Sequence, residues 1–174
     1  FISLAQNIDG YPVGFGKNQQ GVLINSFLSA YSGVNPENIS LNPLRNTPLP
    51  NWNIKFTGLT ELKAIAKIFK RLSLNHAYRA SYTLTNFQSN FDYNPLAPEQ
   101  TDKLGNLIPK SLFSNINLVE QFNPLIRLDV ELKNSFKFLA ELRKERAISL
   151  SLDNNLITES RGDEYVVGMG YRVK

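Results

Sequence analysis

The sequence predicts an all-β fold: antiparallel strands forming part of a transmembrane β-barrel, with short helices in the loops. Three observations predict it. Apolar and polar residues alternate over long spans, as in Ile116, Leu118, Phe122, Ile126, Leu128, Val130 and Leu132 against Asn117, Gln121, Arg127, Asp129, Glu131 and Lys133. A period of two places successive side chains on opposite faces of a strand. These spans run two to three times the ~5–6 residues of an ordinary strand, as expected of a sheet whose apolar face meets lipid. No window approaches the ~20 continuous apolar residues of a transmembrane helix.

Composition allows this class and excludes others. The chain has 174 residues, of which 42% are hydrophobic, and a mean hydropathy of -0.24, so it can bury a core and does not read as disordered. It opens at Phe1-Ile2-Ser3-Leu4 with no initiator Met, which reads as an excised piece or a processed product. Cysteine is absent, which excludes a disulfide scaffold, a thiolate metal site and a Cys nucleophile. The net charge is +4. Basic residues alternate with acidic ones, as in Arg127-Leu128-Asp129 and Glu141-Leu142-Arg143. That pattern reads as a solvated polar face, with no nucleic-acid partner.

Residues 1–48 read as a loop region with one short helix, placed outside the cell. Val22, Leu23, Phe27, Leu28 and Tyr31 fall on one helical stripe and Gly33 is its C-cap. Asn35-Pro36, Asn42-Pro43 and Pro48-Leu49-Pro50 argue against regular structure around them. Barrel-wall strands then fill 49–174. The first covers about 50–58, with Trp52, Ile54 and Phe56 alternating with polar residues. Thr60-Glu61 caps a helix near 60–71, where Leu62, Ile65, Phe69 and Leu72 recur at helical spacing. A helix covering a barrel rim is preferred there to a basic helix lying on the membrane surface.

The second strand covers 72–87, followed by a polar loop over 88–112. The third covers 113–133, interrupted at Pro124, which implies an edge or a bulge. A turn at Lys133-Asn134-Ser135 leads into a fourth strand over 136–158. Lys144 and Arg146 fall on its otherwise apolar face, marking an exit from the hydrocarbon or a bend. Turns at Lys144-Glu145 or Asp153-Asn154-Asn155 would keep the same parity. The preferred turn is Ser160-Arg161-Gly162-Asp163, on its Gly and Asp, with a last strand over 164–174. Long connections at 1–48 and 88–111, with the 160–163 turn, would lie outside; 60–71 and 134–135 would be periplasmic.

Parity divides the side chains. Trp52, Ile54, Phe56, Tyr78, Tyr82, Leu128, Val130, Leu150, Val167 and Tyr171 are expected to face outer-membrane lipid. Arg79, Arg127, Asp129, Glu131, Lys137, Glu141 and Arg143 are expected to line the lumen. Aromatics near the stripe ends, including Phe136, Phe138 and Tyr165, suggest interfacial girdles. About five strands do not close a barrel, for which about eight is the usual minimum. The remaining strands of the barrel must come from elsewhere in a longer polypeptide or from other chains.

No catalytic or metal site, and no cofactor, is expected, and the chain does not read as an enzyme. His76, the only histidine, has no partners at triad or metal-ligand spacing and reads as structural. The Asp and Glu residues are scattered along polar faces. Tyr11-Pro12-Val13-Gly14-Phe15-Gly16-Lys17 is not a phosphate loop. Arg161-Gly162-Asp163 spells an adhesion tripeptide that turn chemistry alone explains.

Several runs together carry a family resemblance. They are Gln6-Asn7-Ile8-Asp9-Gly10-Tyr11-Pro12, Pro48-Leu49-Pro50-Asn51-Trp52, Leu74-Asn75-His76-Ala77-Tyr78-Arg79, Glu120-Gln121-Phe122-Asn123-Pro124-Leu125-Ile126 and Glu164-Tyr165-Val166-Val167-Gly168-Met169-Gly170-Tyr171-Arg172. In this order they resemble the C-terminal part of the SprA/Sov family, the outer-membrane translocons of the type 9 secretion system in Bacteroidetes. The resemblance implies a segment of a very large single-chain barrel of about 36 strands, a size that belongs to the family and is not read from these residues. It also implies a wide pore that passes folded cargo outward and supports gliding motility where present, with plug and PorV-like partner proteins. Two other readings compete. One is a small-solute outer-membrane channel; the other is a β-sandwich adhesion module, which would want shorter strands with turns about every 8–12 residues.

Overall fold

The computed structural model of the protein describes Gln6, residues 9–35, Asn38 and residues 49–173. The expected breaks at Pro36, Pro43 and Pro48, parts of the first two family-like runs, and Lys174 lie outside them. The described chain is mostly antiparallel β-sheet. The main sheet has five strands in the order β1-β2-β5-β6-β7, where β1 is Trp52–Phe56, β2 Phe69–Thr85, β5 Asn115–Leu132, β6 Phe136–Ser151 and β7 Leu156–Tyr171. A minor sheet pairs β3, Gln88–Ser89, with β4, Ser111–Leu112. Helices α1 at Gln20–Ser32 and α2 at Lys63–Ala66, with a 3-10 turn at Gly58–Glu61, are the helical elements named among the described residues.

The long strands are present with their expected parity. Trp52 lies opposite Tyr78, Ile54 opposite His76 and Phe56 opposite Leu74, so the apolar positions of β1 and β2 share one face. The Lys133-Asn134-Ser135 turn also forms. The Ser135 N–H donates to the Leu132 carbonyl, and Ser135 takes a φ of 70°.

Pro124 does not mark an edge, because β5 lies in the middle of the sheet and runs through it without a break. The Lys133 N–H donates to Ile68, and the Ser114 N–H donates to Thr85.

Three expectations are corrected. The helix near 60–71 is only a 3-10 turn at Gly58–Glu61 and the short α2. Leu62 between them is extended, with φ of -69° and ψ of 121°, and Phe69 begins β2. Strand pairing from Phe69 onward outcompetes the helical spacing of Leu62, Ile65, Phe69 and Leu72. The fourth strand ends at Ser151 and not at 158. The turn lies at 152–155, where Asn155 adopts a φ of 55°, a left-handed conformation that Asn tolerates. Ser160-Arg161-Gly162-Asp163 is consequently inside β7 and is not a turn.

The chain divides into two compact units. The first contains residues 1–47, 83–117 and 149–158. Its buried apolar side chains are Ile24, Phe27 and Leu28 of α1 with Phe113, Ile116 and Leu150. Helix α1 ends as expected at Gly33, which has φ of 66° and donates its N–H to the Ser29 carbonyl. Its first residue, Gln20, bonds the carbonyl of Ser111 and the N–H of Phe113 through its side-chain amide. Segment 101–107 folds against the chain before α1. The Leu107 N–H donates to Gly14 at 2.7 Å, and Gln19 donates to the Leu107 carbonyl at 2.9 Å. Gly14 has φ of 90°, and a Cβ there would stand 2.7 Å from Leu107 Cγ, so both conformation and space require glycine.

The second unit contains 48–82, 118–148 and 159–174. Its buried apolar positions are Leu72, Ala80, Leu118 and Ile148; Ser73 and Glu141 are its buried polar residues.

Candidate functional site

The functional candidates are the two faces of the sheet in the second unit. On the polar-parity face, four strands contribute to one chain of contacts. Asn75 of β2 donates to Asp129 of β5 at 3.4 Å. Arg127 bonds Asp129 through Nε at 2.9 Å and Nη2 at 3.1 Å, and reaches across to Glu141 of β6 at 3.2 Å. Arg143 bonds Glu141 and also Glu164 of β7, the latter at 3.0 Å. Signs alternate at every step, so each like charge is separated by an opposite one. Glu141 has 3% of its side chain exposed, covered by two arginines. Lys70 pairs with Glu131 at 2.8 Å. Arg79 and Lys137 are exposed. All seven residues expected to line the lumen therefore sit at one parity, and five of them are bound to charged partners.

The apolar-parity face carries an aromatic array. Trp52 stacks on Tyr78 with ring centroids 4.6 Å apart, and Tyr78 meets Phe122 at 4.9 Å. His76 sits beside Trp52 and Phe122, its Nδ1 2.6 Å from the Leu125 carbonyl, which therefore accepts an N–H from the ring. Among the described residues no group of three or more His, Cys, Asp or Glu is placed to hold a metal.

Of the residues expected to face lipid, Trp52, Ile54, Phe56, Val167 and Tyr171 are exposed, and Tyr78, Tyr82, Leu128 and Val130 are half-buried. Leu150 is the exception. It is 2% exposed, one of the three most buried large side chains, and belongs to the apolar interior of the first unit. Parity alone assigned it to the lipid face; parity tells which side a residue faces, not what lies there.

Sequence reasoning missed a charged belt across this apolar-parity face. Arg146 of β6 pairs with Glu159 of β7 at 2.6 Å, Arg161 bonds the same carboxylate at 2.8 Å, and Lys144 stands 3.6 Å from Asp163. On β5, Glu120 accepts from the Tyr78 hydroxyl at 2.7 Å. Lys144 and Arg146 gave the signal, but their partners were assigned to a turn and so could not be placed. Leu118 and Ile148 follow the belt in one direction; Leu142, Tyr165 and Val167 follow it in the other.

Compared with known proteins, no family model matches the chain, and no curated protein matches it significantly.

Proposed function

We propose that this chain forms part of the wall of an outer-membrane β-barrel, and that the barrel is the protein-conducting pore of a type 9 secretion translocon. The observation that carries the barrel reading is the exposure of large apolar side chains on one parity of both edge strands. Tyr165, Val167, Met169 and Tyr171 of β7 are 66–74% exposed, and Trp52, Ile54 and Phe56 of β1 are 42–56% exposed. In water, apolar residues in such number on unpaired edges are an aggregation hazard. In a barrel the edges pair with neighbouring strands and the side chains meet hydrocarbon.

The charged belt supports a particular depth for the strands. A charge on the lipid face costs about 2–4 kcal/mol at the midplane and about 0–1 near the interface. Glu159, Arg161 and Asp163 therefore belong at the headgroup level. From Asp163 to Tyr171 the chain runs about 27 Å along the strand, or about 21 Å at barrel tilt, close to the ~25 Å apolar band of such proteins. The 133–135 turn then lies on the periplasmic side.

The translocon assignment, with its cargo and its plug and PorV-like partners, rests on the family resemblance. The alternating ladder from Asp129 to Glu164 fits it, since a wall without a single-sign field hydrates passing protein without holding it. Deleting the gene and assaying surface display of folded cargo tests this reading. The expected result is loss of export with the outer membrane otherwise intact. Normal export, with altered uptake of small solutes instead, would overturn it in favour of a small-solute channel.

A further inference from the structure

We propose that the belt on the apolar-parity face is a binding site for a phosphate ester, supplied by a membrane lipid headgroup. The inference rests on the barrel reading above, which turns this face toward the bilayer. An open groove of about 390 Å³ lies over β5, β6 and β7, lined by Glu120, Phe122, Lys144, Glu145, Arg146, Arg161 and Asp163. Arg146 and Arg161 both bond the carboxylate of Glu159. Arg161 bonds it through Nε, leaving both Nη groups without an acceptor among the described residues, and its side chain is 70% exposed. Lys144 is 3.6 Å from Asp163, beyond hydrogen-bond length, and is half exposed. Glu120 is occupied by the Tyr78 hydroxyl.

The remaining donors are a guanidinium fork and an ammonium bordering one groove, the geometry that phosphate oxygens satisfy. Gly162, between Arg161 and Asp163, points to the other face. A Cβ there would stand 3.2 Å from Glu145 Cγ. Arg161 and Asp163 thus project together on the groove side, so the Arg-Gly-Asp run reads as part of a headgroup site and not as an adhesion loop. Phe122 and Tyr165 beside the charges give an acyl chain an apolar surface to follow.

The test uses the full-length protein, purified from membranes and delipidated. Native mass spectrometry counts phosphatidylglycerol retained by wild type, by the Lys144→Gln/Arg161→Gln double variant and by an Arg79→Gln control on the other face. The proposal expects roughly tenfold weaker retention in the double variant only, the size of one or two charge-assisted contacts. Equal retention by all three, in protein that fractionates with the outer membrane, overturns the site and leaves the barrel reading standing. Protein that does not fractionate with membranes overturns both. A competition arm with inorganic phosphate separates the sources. Failure to displace the lipid supports a lipid-borne ester; displacement of the lipid at equal concentration overturns the lipid source.

Discussion

His76 donates its Nδ1 proton to the carbonyl of Leu125, 2.6 Å away, in the stretch of β5 where Pro124 supplies no N–H of its own. The ring is held between Trp52 and Phe122, so the donor is fixed by packing. This gives the chain's only histidine a structural task beside Pro124. Replacing His76 with Ala is expected to cost about 1–3 kcal/mol, the penalty for a polar group left unsatisfied. His76→Gln retains a donor and is expected to leave export near the wild-type level. Urea unfolding in micelles measures the first effect and a cargo-display assay the second. Abolished export by the Gln variant in a correctly assembled barrel would contradict a purely structural role.

Glu141 ties two arginines across the polar face. Removing its charge as Glu141→Gln leaves Arg127 with Asp129 and Arg143 with Glu164, so the ladder is cut at its centre. A buried pair broken from one side costs about 3–5 kcal/mol. Both arginines are more than a third exposed, and solvent screening lowers the expected loss to about 1–2 kcal/mol. Changing Glu141 and Arg127 together to Gln and Met is expected to recover part of it. A double-mutant cycle on unfolding free energies reads the coupling, and strict additivity would show that the ladder is not a unit.

Asp102 makes a pH-dependent prediction outside the strands. Its carboxylate accepts the N–H groups of Leu104 and Asn106 at 2.8 and 2.9 Å. Bonds from the Asn106 backbone foremost, then its side chain and the Leu104 and Gly105 N–H groups, lower its pKa below the ordinary value, against a smaller opposing effect of desolvation. A depressed folded-state pKa contributes stability that is present above the unfolded pKa, about 3.9, and is lost as pH falls through the folded value. Hydrogen exchange at Leu104 and Asn106 is expected to stay slow through mildly acidic pH and to quicken only below about 3.9. Asp102→Asn should quicken it at neutral pH. No difference between the two proteins would show that the carboxylate does not hold the loop.

Leu150 and Val167 share a face by parity and differ in environment. Leu150→Ala empties a buried site and is expected to cost about 2–5 kcal/mol. Val167→Ala should cost under about 1 kcal/mol if, as proposed, lipid fills the space. Val167→Lys should cost about 2–4 kcal/mol if the position lies near mid-membrane. Unfolding of the three variants in micelles or bilayers compares them; a tolerated lysine at 167 would place that position in water.

The period of two made the strands, their faces and the 133–135 turn legible in the sequence, because alternation survives any detail of pairing. The 152–155 turn was missed because Asn154-Asn155 competed with Gly162-Asp163 and both satisfied local turn chemistry. Only pairing decides between them: with β7 beginning at Leu156, Arg146 meets Glu159 and Lys144 meets Asp163. The burial of Leu150 depends on residues distant in sequence, and no local pattern reports it. The same holds for the belt, whose members come from three strands.

The central claim is that one parity of this sheet meets lipid and the other meets water. These 174 residues contain no cysteine, so on a cysteine-free background of the full-length protein single spin labels go to Leu128, Val130, Val167, Arg79 and Lys137 in bilayers. Collision with molecular oxygen, which concentrates in hydrocarbon, and with a water-soluble nickel chelate, which does not, distinguishes the environments by electron paramagnetic resonance. The account predicts high oxygen and low nickel accessibility at 128, 130 and 167, and the reverse at 79 and 137. Labels at 128, 130 and 167 that meet the nickel chelate, or that meet neither reagent because protein covers them, would contradict it.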